Sequence, residues 1–129
     1  MIMEKGFWRA QGKRMLLASV FAVGQACTAS EDPHIAQNNY WHYCSSCHGR
    51  EGKGDGMMVT DMPVRPNDHT DATIMSSRSD ELLFKIISEG GAANGFDEGM
   101  PAHKTMLKKE EIEGLVKHIR KLCNCKYAG

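Results

Sequence analysis

Cys44-Ser45-Ser46-Cys47-His48 is the stretch on which the reading of this chain turns. Two cysteines at this spacing on a helical turn project to one side, so both sulfurs can reach the same flat ligand. The histidine that follows carries a neutral imidazole able to bind a metal at the centre of that ligand. Cys-x-x-Cys-His is the attachment signature of c-type haem: both thiols add to the vinyl groups of one porphyrin, and the histidine becomes the proximal iron ligand. Cys-x-x-Cys alone also occurs in zinc sites, redox motifs and ordinary disulfides. The adjoining His48 separates the haem reading from these.

Compartment follows from the other end of the chain. Lys5, Arg9, Lys13 and Arg14 precede an apolar run from Met15 to Val23, and small residues Gly24, Ala26 and Ala29 come after it. This is the layout of a secretory signal peptide, and the run is too short to span a membrane. The expected division is a signal peptide over residues 1–29 with cleavage near 26 or 29, a haem domain over 30–122, and a Cys-containing tail over 123–129. Gly24-Gln25-Ala26-Cys27 partly resembles a lipoprotein box, so membrane association is expected only if Cys27 is lipidated. Export to the periplasm agrees with the motif, because thioether attachment takes place outside the cytoplasm, where disulfides otherwise form. The 129 residues carry 16 Lys and Arg against 16 Asp and Glu, a balance that gives no basic footprint for a nucleic-acid partner. About a hundred mature residues make a marginal core, which a covalently held, largely apolar macrocycle would complete.

The mature chain reads as all-α, with three main helices and long loops. Asp32 suits an N-cap and Pro33 the first helical position. Ala36, Tyr40, Tyr43, Cys44 and Cys47 recur at helical steps, which makes Tyr40 a core aromatic and leaves Trp41 and His42 off the stripe. From Gly49 to Asp71 repeated Gly and Pro predict a loop, of a length suited to wrapping a cofactor. Ser79, Asp80, Glu81 and Gly90 bracket a second helix with Leu82, Leu83, Phe84, Ile86 and Ile87 on its apolar side. A third helix runs from about Lys109 to Leu122, with Ile112, Leu115, Val116, Ile119 and Leu122 on one face. Lys108 stands where a capping residue is expected. No alternating β-branched run suggests a sheet.

Haem iron held by His48 alone has an open sixth position, and the chain has nine methionines. Met100 is the leading choice, since Gly99 and Pro101 hold it in an irregular segment that can present a thioether to the far face of the ring. Met57, Met58, Met62 and Met75 are alternatives in flexible regions, Met106 reads as packing, and His103 is the nitrogen rival. His34, His42, His69 and His118 read as surface or packing residues, with His42 and His69 able to border the haem.

Taken together, the chain from Asp32 to Leu122 resembles a class I c-type cytochrome, the small soluble monohaem electron carriers. The resemblance rests on Tyr40 before the Cys44 to His48 motif, Arg65-Pro66-Asn67-Asp68, Gly90-Gly91, Gly99-Met100-Pro101, and Glu110-Glu111-Ile112 leading to Ile119-Arg120. It implies the cytochrome c fold around one covalent haem c, with first and last helices crossing through Ala36 and Tyr40 against Val116 and Ile119. It also implies that a proline-loop carbonyl, at Pro66, accepts a hydrogen bond from His48. The chain departs from the pattern at His118 and His69, where aromatic residues are usual and where packing is expected to soften. The tail Cys123-Asn124-Cys125 is a third departure, open to a disulfide with Cys27, a metal or a partner.

The function expected is a periplasmic single-electron carrier with His48 and Met100 as axial ligands of the iron. It would serve a respiratory reductase or oxidase, acting on no small-molecule substrate. Its partners would be redox proteins docking at the haem edge, with Lys53, Lys104, Lys108 and Lys109 in reach. The alternative is a haem enzyme or gas-binding sensor with a labile sixth ligand. A third reading is a metal module built from Cys44, Cys47, Cys123 and Cys125.

Overall fold

The computed structural model describes residues 32–129, so the expected signal peptide, its cleavage points and Cys27 lie outside the described residues. Helix α1 covers Pro33–Tyr43; the Asp32 carboxylate accepts from the His34 amide at 2.9 Å, and Pro33 sits where no backbone donor is needed. At Cys44 the backbone widens to φ −114°, and the short helix α2, Ser45–His48, carries the rest of the motif onward. The first helix therefore runs into the motif with one break. Helix α3, Ala72–Ser76, is short and capped by Asp71 through the amides of Thr73 and Ile74.

Helix α4 spans Asp80–Glu89, begun by the Ser79 hydroxyl accepting from the Leu82 amide and ended at Gly90, whose φ of +86° suits glycine. Helix α5 spans Lys109–Cys123. Its start lacks a short polar cap because a lysine side chain has no acceptor. Glu111 supplies the missing contact: its carboxylate accepts from the Lys108 amide at 2.8 Å and from the Asn39 side chain of α1 at 3.3 Å. The described residues contain no strand.

The most extensive helix contact is between α1 and α5. Tyr40 is fully enclosed in one cluster with Met75, Leu83, Ile87, Ile112, Leu115, Val116 and Ile119, and Ala36 is buried on the same side of α1. Two methionine expectations are corrected here. Met75 is no flexible ligand candidate but a fully buried core residue, because α3 turns its side chain inward; Met106 is 53 % exposed and does not pack.

Arg120 fastens α5 to the chain between α3 and α4. Its guanidinium donates to the Asp80 carboxylate at 2.7 Å, the Met75 carbonyl at 2.6 Å and the Arg78 carbonyl. Just beyond, Cys123 and Cys125 are bonded to each other, which replaces the pairing with Cys27 or a metal that the sequence left open. Asn124 between them takes the left-handed conformation at φ 47°. The tail then folds back, with the Ala128 amide on the Ser76 carbonyl at 2.9 Å.

Candidate haem site

A cavity of about 530 Å³ opens where α1, α2, α4 and α5 meet the long loops. Cys44, Cys47, His48 and Met100 all line it, so the four residues chosen from sequence converge on one space. Apolar side chains of α4 and α5, among them Leu83, Ile87, Leu115 and Ile119, form much of the rest.

His48 is buried, and its Nδ1 lies 3.0 Å from the carbonyl oxygen of Asn67. The carbonyl partner expected at Pro66 is thus supplied one residue later. The oxygen that reaches the imidazole belongs to the next peptide. A carbonyl can only accept, so Nδ1 carries the proton and Nε2 is left with its lone pair for a metal. Burial lowers the His48 pKa against the opposing pull of the Asn67 bond, and nearby His103 lowers it further, which favours the neutral form a metal requires. Cys44 and Cys47 are free thiols. Burial, aided by Cys47, raises the Cys44 thiol to about 12.

The loop after the motif hangs on the carbonyls of the motif itself. The Gly54, Gly56 and Met58 amides donate to the carbonyls of His48, Cys47 and Ser46 at 2.8, 3.0 and 3.0 Å. A Cβ at Gly54, which also needs φ +66°, would stand 2.5 Å from the Pro66 carbonyl oxygen, and one at Gly56 would overlap the Ser46 carbonyl. These close approaches bring the Pro66-Asn67 peptide to His48.

Met100 is half-buried, its carbonyl accepting from the Gly91 amide at 2.9 Å. His103 reaches the same cavity, is 3 % exposed, and has no hydrogen-bond partner for Nδ1. Met58 and Met62 line the space as well, whereas Met57 and Met106 do not. His69 borders it as expected; His42 is exposed and stays out of the lining. None of Lys53, Lys104, Lys108 and Lys109 lines it. Sequence reasoning missed Asn67, Phe96 and Arg78. The guanidinium of Arg78 lies 5.1 Å from the Phe96 ring centroid, a contact between residues far apart in sequence with no local pattern to announce it.

These residues fit a haem. The volume lies within the roughly 300–1,000 Å³ of small-molecule and cofactor sites, and the lining is mainly apolar. The thiols are unbonded, and His48 is oriented with Nε2 free. The metal module has no ligand set, because Cys123 and Cys125 are bonded to each other and no group of three or more His, Cys, Asp or Glu converges among the described residues.

Comparison with known proteins agrees. The solved structure of the KustC0563 c-type cytochrome is similar at a TM-score of 0.55 and 28 % identity, over 67 % of this chain and 95 % of that one. The Kuenenia stuttgartiensis reducing HAO-like protein complex Kustc0457/Kustc0458 shares the fold at a TM-score of 0.56 and 22 % identity, over 68 % of this chain and 41 % of that one. No curated protein matches. The family model described as cytochrome c oxidase, cbb3-type, subunit III matches residues 31–119. The protein is therefore an all-α, c-type cytochrome domain for haem-based electron transfer, with covalently bound haem c and its iron as cofactor. By fold, cavity and match, the chain belongs to the cytochrome c oxidase, cbb3-type, subunit III family.

Proposed function

We propose that the protein is a periplasmic one-electron carrier whose haem is attached at Cys44 and Cys47 and ligated by His48 and Met100, with redox proteins as its donor and acceptor and no substrate of its own. The observation that carries the reading is the convergence of those four side chains on one cavity, with His48 tied to the Asn67 carbonyl. Bound haem supplies a metal that passes between ferrous and ferric states by one electron. The chain's part is to hold the group still and dry. The Asn67 bond holds the His48 proton at Nδ1 and restrains the ring at that point, and the apolar wall from α4 and α5 excludes water. The Gly91 amide holds the Met100 carbonyl, which steadies the backbone that carries the thioether, a soft neutral donor favouring the reduced state.

Apolar side chains reach the surface where the cavity opens. Met58, Val64 and Phe96 both line it and are exposed by 51, 49 and 38 %. This rim, rather than the lysines, is the docking face for partner proteins, since short contact between apolar edges lets electrons pass without trapping the complex.

Met100→Ala tests the assignment. The variant is expected to lose the weak sulfur-to-iron band in the near infrared, to bind carbon monoxide when reduced, and to show a lower reduction potential. Ready carbon monoxide binding by the unaltered protein would favour the sensor or enzyme reading. Survival of the band in Met100→Ala would put another thioether, Met58 or Met62, on the iron, whereas a low-spin unaltered protein without the band would point to His103.

A further inference from the structure

His69 stands directly behind the residue assigned as proximal ligand. Its ring and that of His48 are stacked, with centroids 4.1 Å apart and planes 18° from parallel. His69 is itself held. The Tyr40 hydroxyl lies 2.9 Å from its Nδ1, and its backbone amide donates to the Gly52 carbonyl at 2.6 Å. Tyr40 has no freedom of its own, being fully enclosed in the helix core and set against the His118 ring at 4.9 Å. The neighbouring backbone lies close against the pair: a Cβ at Gly52 would come within 2.9 Å of Leu122 Cδ1, 3.1 Å of the His69 Cβ and 3.2 Å of the Tyr40 hydroxyl.

From this geometry we infer that His69 is a positioning residue, a second imidazole that sets the rotational angle of the His48 ring about its bond to the metal, with Tyr40 locking it in place. The inference rests on His48 being the proximal ligand. The hydrogen bond to Asn67 restrains Nδ1 at one point, and a single point permits the ring to rock about the bond. A flat neighbour against one face removes that motion, since tilting the ring would drive its atoms into His69. The polar residue in an otherwise apolar position is thereby explained: a leucine would fill the volume but present no plane, and an unpinned ring could turn. Tyr40 thus joins the α1–α5 core to the haem ligand through a single intervening side chain. Orientation of a ligating histidine by its neighbours is a general lever on a metal centre.

The haem methyl resonances of the ferric holoprotein read the angle of the axial imidazole plane, which a purely structural role would leave unmoved. His69→Leu is expected to redistribute those resonances while the visible spectrum stays low-spin. Tyr40→Phe and His69→Phe each keep a ring face but break the Tyr40 bond, so each should shift the pattern less than His69→Leu. The double variant Tyr40→Phe/His69→Phe should shift it no further than either single change, because both delete the same interaction. A native methyl pattern in His69→Leu overturns the proposal. If that variant does not accumulate with haem, native patterns in both Tyr40→Phe and His69→Phe overturn it instead. Histidine labelled with ¹⁵N separates this from the reading beneath it: the strongly shifted imidazole signal of the native protein must vanish in His48→Met. Its persistence would remove the ligand assignment and the proposal together, whereas its loss alongside an unmoved His69→Leu pattern would remove the proposal alone.

Discussion

His118 shows how a single side chain can look out of place in sequence and still be accommodated. It was expected to soften the packing of α5, and in part it does: the ring tilts against Tyr40 as an aromatic would, but its Nε2 is buried with no hydrogen-bond partner. Burial, followed by the charge of Lys121, lowers its pKa. A histidine whose folded pKa is depressed stays neutral while the unfolded chain takes up a proton. Stability therefore falls as pH drops below about 6.5, the unfolded value, and levels off once pH is under the folded pKa. His118→Phe should raise stability by about 1–2 kcal/mol and flatten this part of the acid limb in urea titrations run between neutral and mildly acidic pH. His69, the other departure, is fully accommodated through Tyr40 and His48. Helical spacing can announce that a position is inside; it says nothing of which polar atom waits there. The same limit explains Asn67, since no side chain marks a peptide whose backbone oxygen does the work.

Among the elements, α1 and α4 were legible because residues repeating at helical steps follow a capping residue, and α5 because its apolar face repeats over fifteen residues without one. Helix α3 was not: five residues between glycine-rich loop and α4 leave too few turns for a period to register. Arg120 joins these pieces through contacts 40 or more residues apart in sequence, which no local pattern encodes. Most of that anchoring is to carbonyls under a side chain 12 % exposed, while Asp80 is 65 % exposed. Arg120→Met should accordingly destabilise by about 2–3 kcal/mol, through orphaned buried acceptors, and Asp80→Asn by less than about 1 kcal/mol, as an exposed ion pair allows. Chemical denaturation of both variants distinguishes the carbonyl anchors from the salt bridge. In the motif loop, Gly56→Ala must push the Ser46 carbonyl aside, at a cost of about 1–3 kcal/mol for overpacking. It should also lower the yield of protein carrying haem, measured as the ratio of Soret to protein absorbance.

For the molecule as a whole, the buried cluster and the cavity are two halves of one core. Leu83, Ile87, Leu115 and Ile119 belong to both, so the haem site is continuous with the interior. Cys44→Ala/Cys47→Ala, which gives up both attachment points, is predicted to retain far-ultraviolet helix signal but lose near-ultraviolet circular dichroism and a sharp thermal transition. A cooperative transition like that of the holoprotein would show the helices to be self-sufficient. The three-helix plan and Cys44, Cys47 and His48 were readable in advance because they are set by periodicity and a short motif, and Met100 because Gly99 and Pro101 flank it. Arg78 and Phe96 were not, because they meet only once the loops have closed. One more consequence lies at the far end of the chain. Under oxidising conditions any accessible thiol can capture any other. Cys123 and Cys125, separated by one residue, are each other's nearest competitor and are found joined. With their sulfurs joined, neither is a partner for Cys44 or Cys47, and the thiols of the motif keep only each other and the haem to react with among the described residues.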